Sequence, residues 1–368
     1  MLMRGINSKM KKELLTGNQA AVKGAMAAGA QMMTGYPITP TTEILEEWSI
    51  AASKDPSLKF LQTEDEMSAG FAMIGGILAG DKAFTATAGP GNVLMQDAFS
   101  MAESMRLPTV AFINQRGGPS TGTVIYSQQE VNLTCFGGNG EGLRIVYSIG
   151  NVQEMFDYAI KAFNTAWKYR FPTFVLSDGY NAKTLTEIEV YSPEEKEIEI
   201  VTPQAYLLSE KKPANEFINL RNTYNLESEL NSVLEKYHED FKSIITEVVE
   251  YDDYHTLDAE IVIFSHGIVS AAAKLAVDIL RAEGKKVGLF RPITLVPFPR
   301  QSAQAVVRNK KAILICESSL WQFERLVKEN LYGATAPVKT LQKPAMGIMP
   351  EEIIEKINQI FEEIDARK

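Results

Sequence analysis

Apolar and polar positions alternate in blocks along the first half of the chain. Short β-rich runs at 58–63, 82–88, 109–114, 144–148 and 173–176 are separated by stretches of helical periodicity at 17–33, 42–53, 67–79, 93–106 and 152–169. This alternation predicts βαβ units and a mostly parallel sheet covered on both faces. Gly35-Tyr36-Pro37, Gly89-Pro90-Gly91 and Gly117-Gly118-Pro119 fall where strands should end. A second such unit is expected beyond residue 260. Its strands are placed at 261–265, 287–290, 312–316 and 338–341, and its helices at 269–282, 300–309, 322–332 and 351–364. Pro350 followed by Glu351 and Glu352 suits a helix start. The expected fold class is α/β, with two open parallel-sheet domains.

The stretch between them is different in kind. Residues 184–260 hold 19 Asp and Glu against 6 Lys and Arg, and Pro193, Pro203 and Pro213 interrupt its first part. Leu226, Leu230, Val233, Leu234, Tyr237, Phe241, Ile244, Ile245 and Val248 then recur at helical spacing, which predicts one amphipathic helix over 226–250. The acidity suits either a solvated face or a docking surface. The small-residue run 20–30 permits close helix packing, within the chain or across an interface.

Composition narrows the classes. The chain has 368 residues, 45% hydrophobic and 23% charged, with a net charge of −9 and a pI near 5.2. These are ordinary globular values and exclude a disordered or collagen-like chain. An acidic chain is a poor nucleic-acid or anionic-membrane binder, and no apolar run reaches the ~18 residues of a membrane span. Residues 1–15 carry Lys9, Lys11, Lys12 and Glu13 without an apolar core, so no secretory leader is expected. Two cysteines, Cys135 and Cys316, are too few for an iron–sulfur cluster or a Cys-rich zinc site, and no metal site is expected. Cys316 lies in an apolar run and reads as a buried thiol. The cytoplasm is the expected compartment.

Candidate chemistry falls in loops after strands. In Gly35-Tyr36-Pro37-Ile38-Thr39-Pro40-Thr41-Thr42, Thr39 or Thr41 caps the next helix, or Thr39 offers its hydroxyl to a ligand. Glu64-Asp65-Glu66 precedes a helix of small and apolar residues. The acids answer the helix dipole, or one is desolvated at the helix mouth and suited to acid–base work. Gly89-Pro90-Gly91 is a tight turn that lacks the dinucleotide and P-loop patterns. It serves close ligand approach or simple packing. Arg116, before Gly117-Gly118-Pro119-Ser120-Thr121-Gly122, forms a structural ion pair or clamps a carboxylate, with Ser120 and Thr121 as added donors. His266 reads more simply as structural.

In order and spacing, these stretches, with Gly17-Asn18 and Leu94-Met95-Gln96, resemble the α subunits of the 2-oxoacid:ferredoxin oxidoreductases, 2-oxoglutarate synthase-like branch. The resemblance implies a pyrimidine-binding domain for thiamine diphosphate over 1–183. It also implies an acidic connector over 184–255 and a transketolase C-terminal-like domain over 256–368. The implied reaction is oxidative decarboxylation of a 2-oxoacid with coenzyme A, passing electrons to ferredoxin, with 2-oxoglutarate the first expectation. Pyruvate, branched-chain and aryl 2-oxoacids are alternatives, and a non-catalytic scaffold is another. Glu66 matches the glutamate that bonds the pyrimidine N1′ and stabilises the imino tautomer. Thr39 and Arg116 match substrate-binding positions, with Ser120 and Thr121 as candidate added donors; Pro37, Ile38, Gly89 and Gly91 are expected to line the cofactor. The missing diphosphate motif and cysteines imply an obligate β subunit that carries Mg2+ and a [4Fe-4S] cluster and completes the thiamine diphosphate site. Further γ and δ subunits, and ferredoxin on the β/δ side, are implied partners. The run Thr123-Val124-Ile125-Tyr126-Ser127-Gln128 departs from the Leu-Pro-Thr expected for 2-oxoglutarate-type members, beside the expected substrate pocket.

Overall fold

The computed structural model describes residues 11–202 and 220–366. The leader expectation for residues 1–10, and Pro203 and Pro213, lie outside these. The strands are β1 (Lys11–Thr16), β2 (Met32–Gly35), β3 (Lys59–Gln62), β4 (Ala83–Thr87), β5 (Val110–Gln115), β6 (Ile145–Ser148) and β7 (Thr173–Asp178). Then follow β8 (Leu185–Val190), β9 (Tyr251–Tyr254), β10 (Ile261–Phe264), β11 (Val287–Pro292), β12 (Thr294–Val296), β13 (Ala312–Glu317) and β14 (Val338–Gln342). They form a first sheet of order β12-β6-β7-β5-β4-β2-β3, a second of order β14-β13-β10-β11-β9, and a ribbon β1-β8. The first sheet is parallel except for β12, the second except for β9. The α/β expectation with two parallel sheets therefore holds.

Topology selects where a ligand belongs. In the first sheet β2 lies between β3 and β4, so the chain leaves β2 on one side and returns on the other. Open α/β sheets bind ligands outside the strand carboxyl ends at such a switch point. The loops after β2, β3, β4 and β5 all open on that edge.

Some elements differ from expectation. The helix expected over 17–33 spans Gly17–Ala27, and β2 begins at Met32. Gly29 at φ +75° ends it, because left-handed backbone stops a helix and favours glycine. The helix expected over 93–106 is split into Pro90–Leu94 and Gln96–Ser104. The small residues of Gly17–Ala27 pack inside the molecule. A Cβ on Gly24 would stand 2.5 Å from the Phe156 carbonyl oxygen, so the helix lies directly on Val152–Tyr169. Trp48, Phe84, Phe112 and Phe163 meet edge to face beneath the sheet.

The amphipathic helix of the connector spans Glu227–Val248 and buries Phe241, Ile244 and Val248. Its acids face a basic strip. Asp240 pairs with Arg106 at 3.0 Å and Glu247 with Lys168 at 2.9 Å. Phe171 meets Phe241 edge to face.

The two lobes are sewn together. β12, from the second half of the chain, adds antiparallel to β6 on the edge of the first sheet. Buried Arg291 holds Glu154 through both terminal nitrogens and reaches Asp252 at 3.1 Å. His266 is fully buried, with Nδ1 2.8 Å from Ser148 Oγ. Burial, helped by the charge of Arg291, pushes its pKa down from 6.5 to about 3. The imidazole is therefore neutral in the fold. Its contribution is full above pH 6.5 and is lost as pH falls toward 3. Wild-type protein should lose more of its urea midpoint between pH 7.5 and 5 than His266→Asn, which keeps a polar atom near the Nδ1 position and does not titrate. Equal losses would show that His266 does not govern the acid sensitivity.

Candidate active site

The three acids after β3 have three different fates. Glu64 is exposed and accepts a hydrogen bond from Ser68 Oγ at 2.9 Å. Asp65 caps the helix Glu66–Leu78 by accepting from the Ser68 backbone N–H at 2.7 Å, which holds its carboxyl below the usual range. Glu66, first residue of that helix, is only 6% exposed. Desolvation raises its pKa, and the charge of Asp65 adds to this. Its own backbone N–H and the charge of Arg116 oppose it. A carboxyl so placed holds a proton more readily than an exposed one, which suits acid–base work.

The turn after β4 makes room for charged neighbours. A Cβ on Gly91 would stand 2.1 Å from Thr87 Oγ1 and 2.7 Å from Glu66 Oε1. A Cβ on Gly89, at φ +53°, would stand 2.7 Å from Arg116 Nε. Thus Gly89-Pro90-Gly91 lets Glu66 and Arg116 lie against backbone. Gly91→Ala is expected to push the Glu66 carboxylate aside. Activity should fall by about a hundredfold, the scale of a misplaced catalytic group, while circular dichroism stays native. Normal turnover would show that Glu66 tolerates displacement.

Arg116 joins this cluster from the end of β5. Its Nη1 donates to the Thr39 carbonyl at 2.8 Å, while buried Nε has no hydrogen-bond partner among the described residues. Thr39 itself is exposed, as is Pro37, and Ile38 is half-buried. The Thr41 hydroxyl does not cap the next helix; it donates back to the Ile38 carbonyl at 2.7 Å. Asn18 anchors this loop by donating to the Pro40 carbonyl at 2.8 Å. Ser120 and Thr121 ride on an exposed turn closed by the Thr123 N–H on the Gly117 carbonyl. Their hydroxyls make no hydrogen bond to Glu66, Thr39 or Arg116 among the described residues. Hence Glu66, Gly89, Gly91, Arg116 and the Thr39 carbonyl come together, and Ser120 and Thr121 stand outside that cluster.

Sequence reasoning missed Glu130. Its buried carboxylate accepts from the Gly89 N–H at 2.8 Å, the Arg116 N–H at 3.0 Å and Asn92 Nδ2 at 3.0 Å. Burial raises its pKa, and these donors oppose the rise. One side chain therefore ties together the loops after β4 and β5. A lone acid before the apolar Val131 carries no spacing signal, so only the fold reveals it.

Residues 23–252 match the family model described as "Pyruvate flavodoxin/ferredoxin oxidoreductase, thiamine diP-bdg". The chain belongs to this family. Residues 259–349 match the "Pyruvate:ferredoxin oxidoreductase core domain II" model. The 2-oxoglutarate synthase subunit KorA of Methanocaldococcus jannaschii is 36% identical, covering 87% of this chain and 93% of the relative. The ketoisovalerate oxidoreductase subunit VorB of Methanothermobacter marburgensis is 34% identical, covering 87% and 90%. A solved 2-oxoglutarate:ferredoxin oxidoreductase from Magnetococcus marinus shares the fold, with a TM-score of 0.84 at 24% identity. The match covers 95% of this chain and 65% of that one. A split-gene transketolase chain is a more distant fold relative, with a TM-score of 0.59.

The cluster of this pyruvate:ferredoxin oxidoreductase family member suits the edge of a polar heteroaromatic ring. Buried Glu66 offers a carboxyl with a raised pKa, the Arg116 charge lies near it, and the two glycines let both side chains pack against the turn. Among the described residues no group of three or more His, Cys, Asp or Glu is placed to hold a metal ion, and no helix is long and apolar enough to cross a membrane.

Proposed function

We propose that this chain is the α subunit of a thiamine-diphosphate-dependent 2-oxoacid:ferredoxin oxidoreductase, acting with coenzyme A on 2-oxoglutarate. The observation that carries the reading is the desolvated Glu66 carboxyl, packed over Gly91 at the switch point of the first sheet and beside Arg116. When bound, thiamine diphosphate supplies the carbanion chemistry that cleaves the bond to the 2-oxoacid carboxyl. Glu66 holds a proton at its carboxyl toward the pyrimidine N1′. Gly89, Gly91, Pro37 and Ile38 shape the wall that orients the ring. Arg116 binds the substrate carboxylate, Thr39 adds a hydroxyl beside it, and Ser120 and Thr121 are further donors on the neighbouring loop.

In this reading residues 1–183 work as the pyrimidine-binding unit, 184–255 as the connector and 256–368 as the transketolase-like unit. The diphosphate, Mg2+ and a [4Fe-4S] cluster belong to a β subunit, with γ and δ subunits and ferredoxin beyond it, in the cytoplasm. Tyr36, Met67, Val93, Leu94 and Ile125 are exposed apolar side chains around the same edge, which favours a partner covering it. Val124 and Ile125, both exposed in the loop beyond Arg116, favour a second reading with a branched-chain 2-oxoacid.

The test is turnover by the anaerobically co-purified complex with 2-oxoglutarate, 2-oxoisovalerate or pyruvate, plus coenzyme A and a viologen acceptor. Dye reduction fastest with 2-oxoglutarate supports the first reading, and fastest with 2-oxoisovalerate the second. No reduction by a complex loaded with thiamine diphosphate and reducible clusters would overturn both.

A further inference from the structure

We propose that the C-terminal lobe positions Arg116 and the Gly89 turn through a strap, residues 126–130, with Gln128 as the positioning residue. The second sheet has its own switch point. β10 lies between β11 and β13, so a crevice is expected outside its carboxyl end. Gln128 of the first lobe fills it. The Gln128 Nε2 donates to the His266 carbonyl at 2.9 Å, and its Oε1 accepts from the Ser318 N–H at 2.9 Å. Its backbone N–H donates to the Ser318 carbonyl at 3.1 Å. Gly267, at φ +56°, is shaped for this insertion, since a Cβ there would stand 3.0 Å from Gln128 Nε2. On either side, Tyr126 donates to Ser318 Oγ at 2.7 Å and Gln322 Nε2 donates to the Gln129 carbonyl at 2.6 Å.

The other face of the strap grips the candidate site. Gln129 Oε1 accepts from the Gly118 N–H at 3.0 Å, and Glu130 binds the Arg116 and Gly89 N–H groups. Every link is buried or half-buried, and the strap has no helix or strand of its own until Val131. Its course is therefore set by what holds it at each end. A crevice of the kind that binds ligands has become a clamp on the arginine loop. The consequence for substrate binding rests on the role proposed above for Arg116; the mechanical coupling does not.

The test pairs Gln128→Ala with Gln322→Ala, which cuts the strap from the opposite lobe at a half-buried position, in the full chain assembled with its partner. Amide hydrogen exchange at Gly89, Arg116 and Gly118 is expected to speed up about tenfold in each variant, while β5 and β13 keep native protection. KM for the 2-oxoacid should rise about ten- to a hundredfold with kcat little changed. The double variant should speed exchange more than either single one, because each removes a separate anchor of the same strap. A general loss of structure would instead raise exchange in both sheets. Native exchange at Arg116 and Gly118 in both variants would overturn the proposal. The exchange result stands without turnover, so an inactive wild-type complex would sink the functional reading and leave this one to be judged separately.

Discussion

Glu66→Gln is expected to lose activity by about 10²- to 10⁴-fold, the range for removing a positioned acid–base group, with no loss of stability. The physical reason separates the two effects. Burial raises the Glu66 pKa, so the fold favours its protonated form and bears a cost for the charged one above that pKa. A neutral amide of the same shape removes that cost. The melting temperature of the Glu66→Gln protein at pH 7.5 should therefore equal or exceed wild type, while dye reduction collapses. Turnover within tenfold of wild type would remove Glu66 from the chemistry. Glu64→Gln, an exposed neighbour, should leave both measurements unchanged.

Glu130→Ala should damage both stability and activity. The carboxylate serves the Gly89 N–H, the Arg116 N–H and Asn92 Nδ2, all within buried or half-buried surroundings. Its removal leaves those donors without an acceptor, at about 1–3 kcal/mol for each orphaned group. Because the same donors sit on the loops after β4 and β5, the Gly89 turn and Arg116 lose their common anchor. Urea denaturation should show a large loss of midpoint, and KM for the 2-oxoacid should rise in whatever folded fraction remains. Glu130→Gln keeps one acceptor oxygen but turns an amide toward Asn92 Nδ2, so it should fall between. A Glu130→Ala protein as stable and active as wild type would show that water replaces the carboxylate freely.

Local pattern is enough for some parts of this molecule. The run 82–88 is apolar and β-rich and becomes β4; the helix expected over 152–169 is the helix observed. Glu66 is legible because three acids stand before a helix too apolar to be solvated. Gly29 misleads, since one glycine in an apolar run does not show which sign its φ will take. Ser120 and Thr121 stand out for their hydroxyls, and sequence does not reveal that their loop closes on Gly117 and faces outward. The Gly89-Pro90-Gly91 turn leaves packing and ligand approach open. The structure shows that Glu66 and Arg116 are what approach it.

Local patterning carries the α/β class, the strand ends where the candidate residues gather, and the motifs that mark the family. These depend on neighbours a few residues apart, through periodicity, turn residues and helix starts. Only the tertiary structure decided that β12 completes the first sheet, that Glu130 binds two distant loops, and that Gln128 fills a crevice of the other lobe. Those contacts join residues far apart in the chain, between side chains whose local surroundings carry no periodic signal. Burial and hydrogen-bond satisfaction select them, and both are properties of the folded whole.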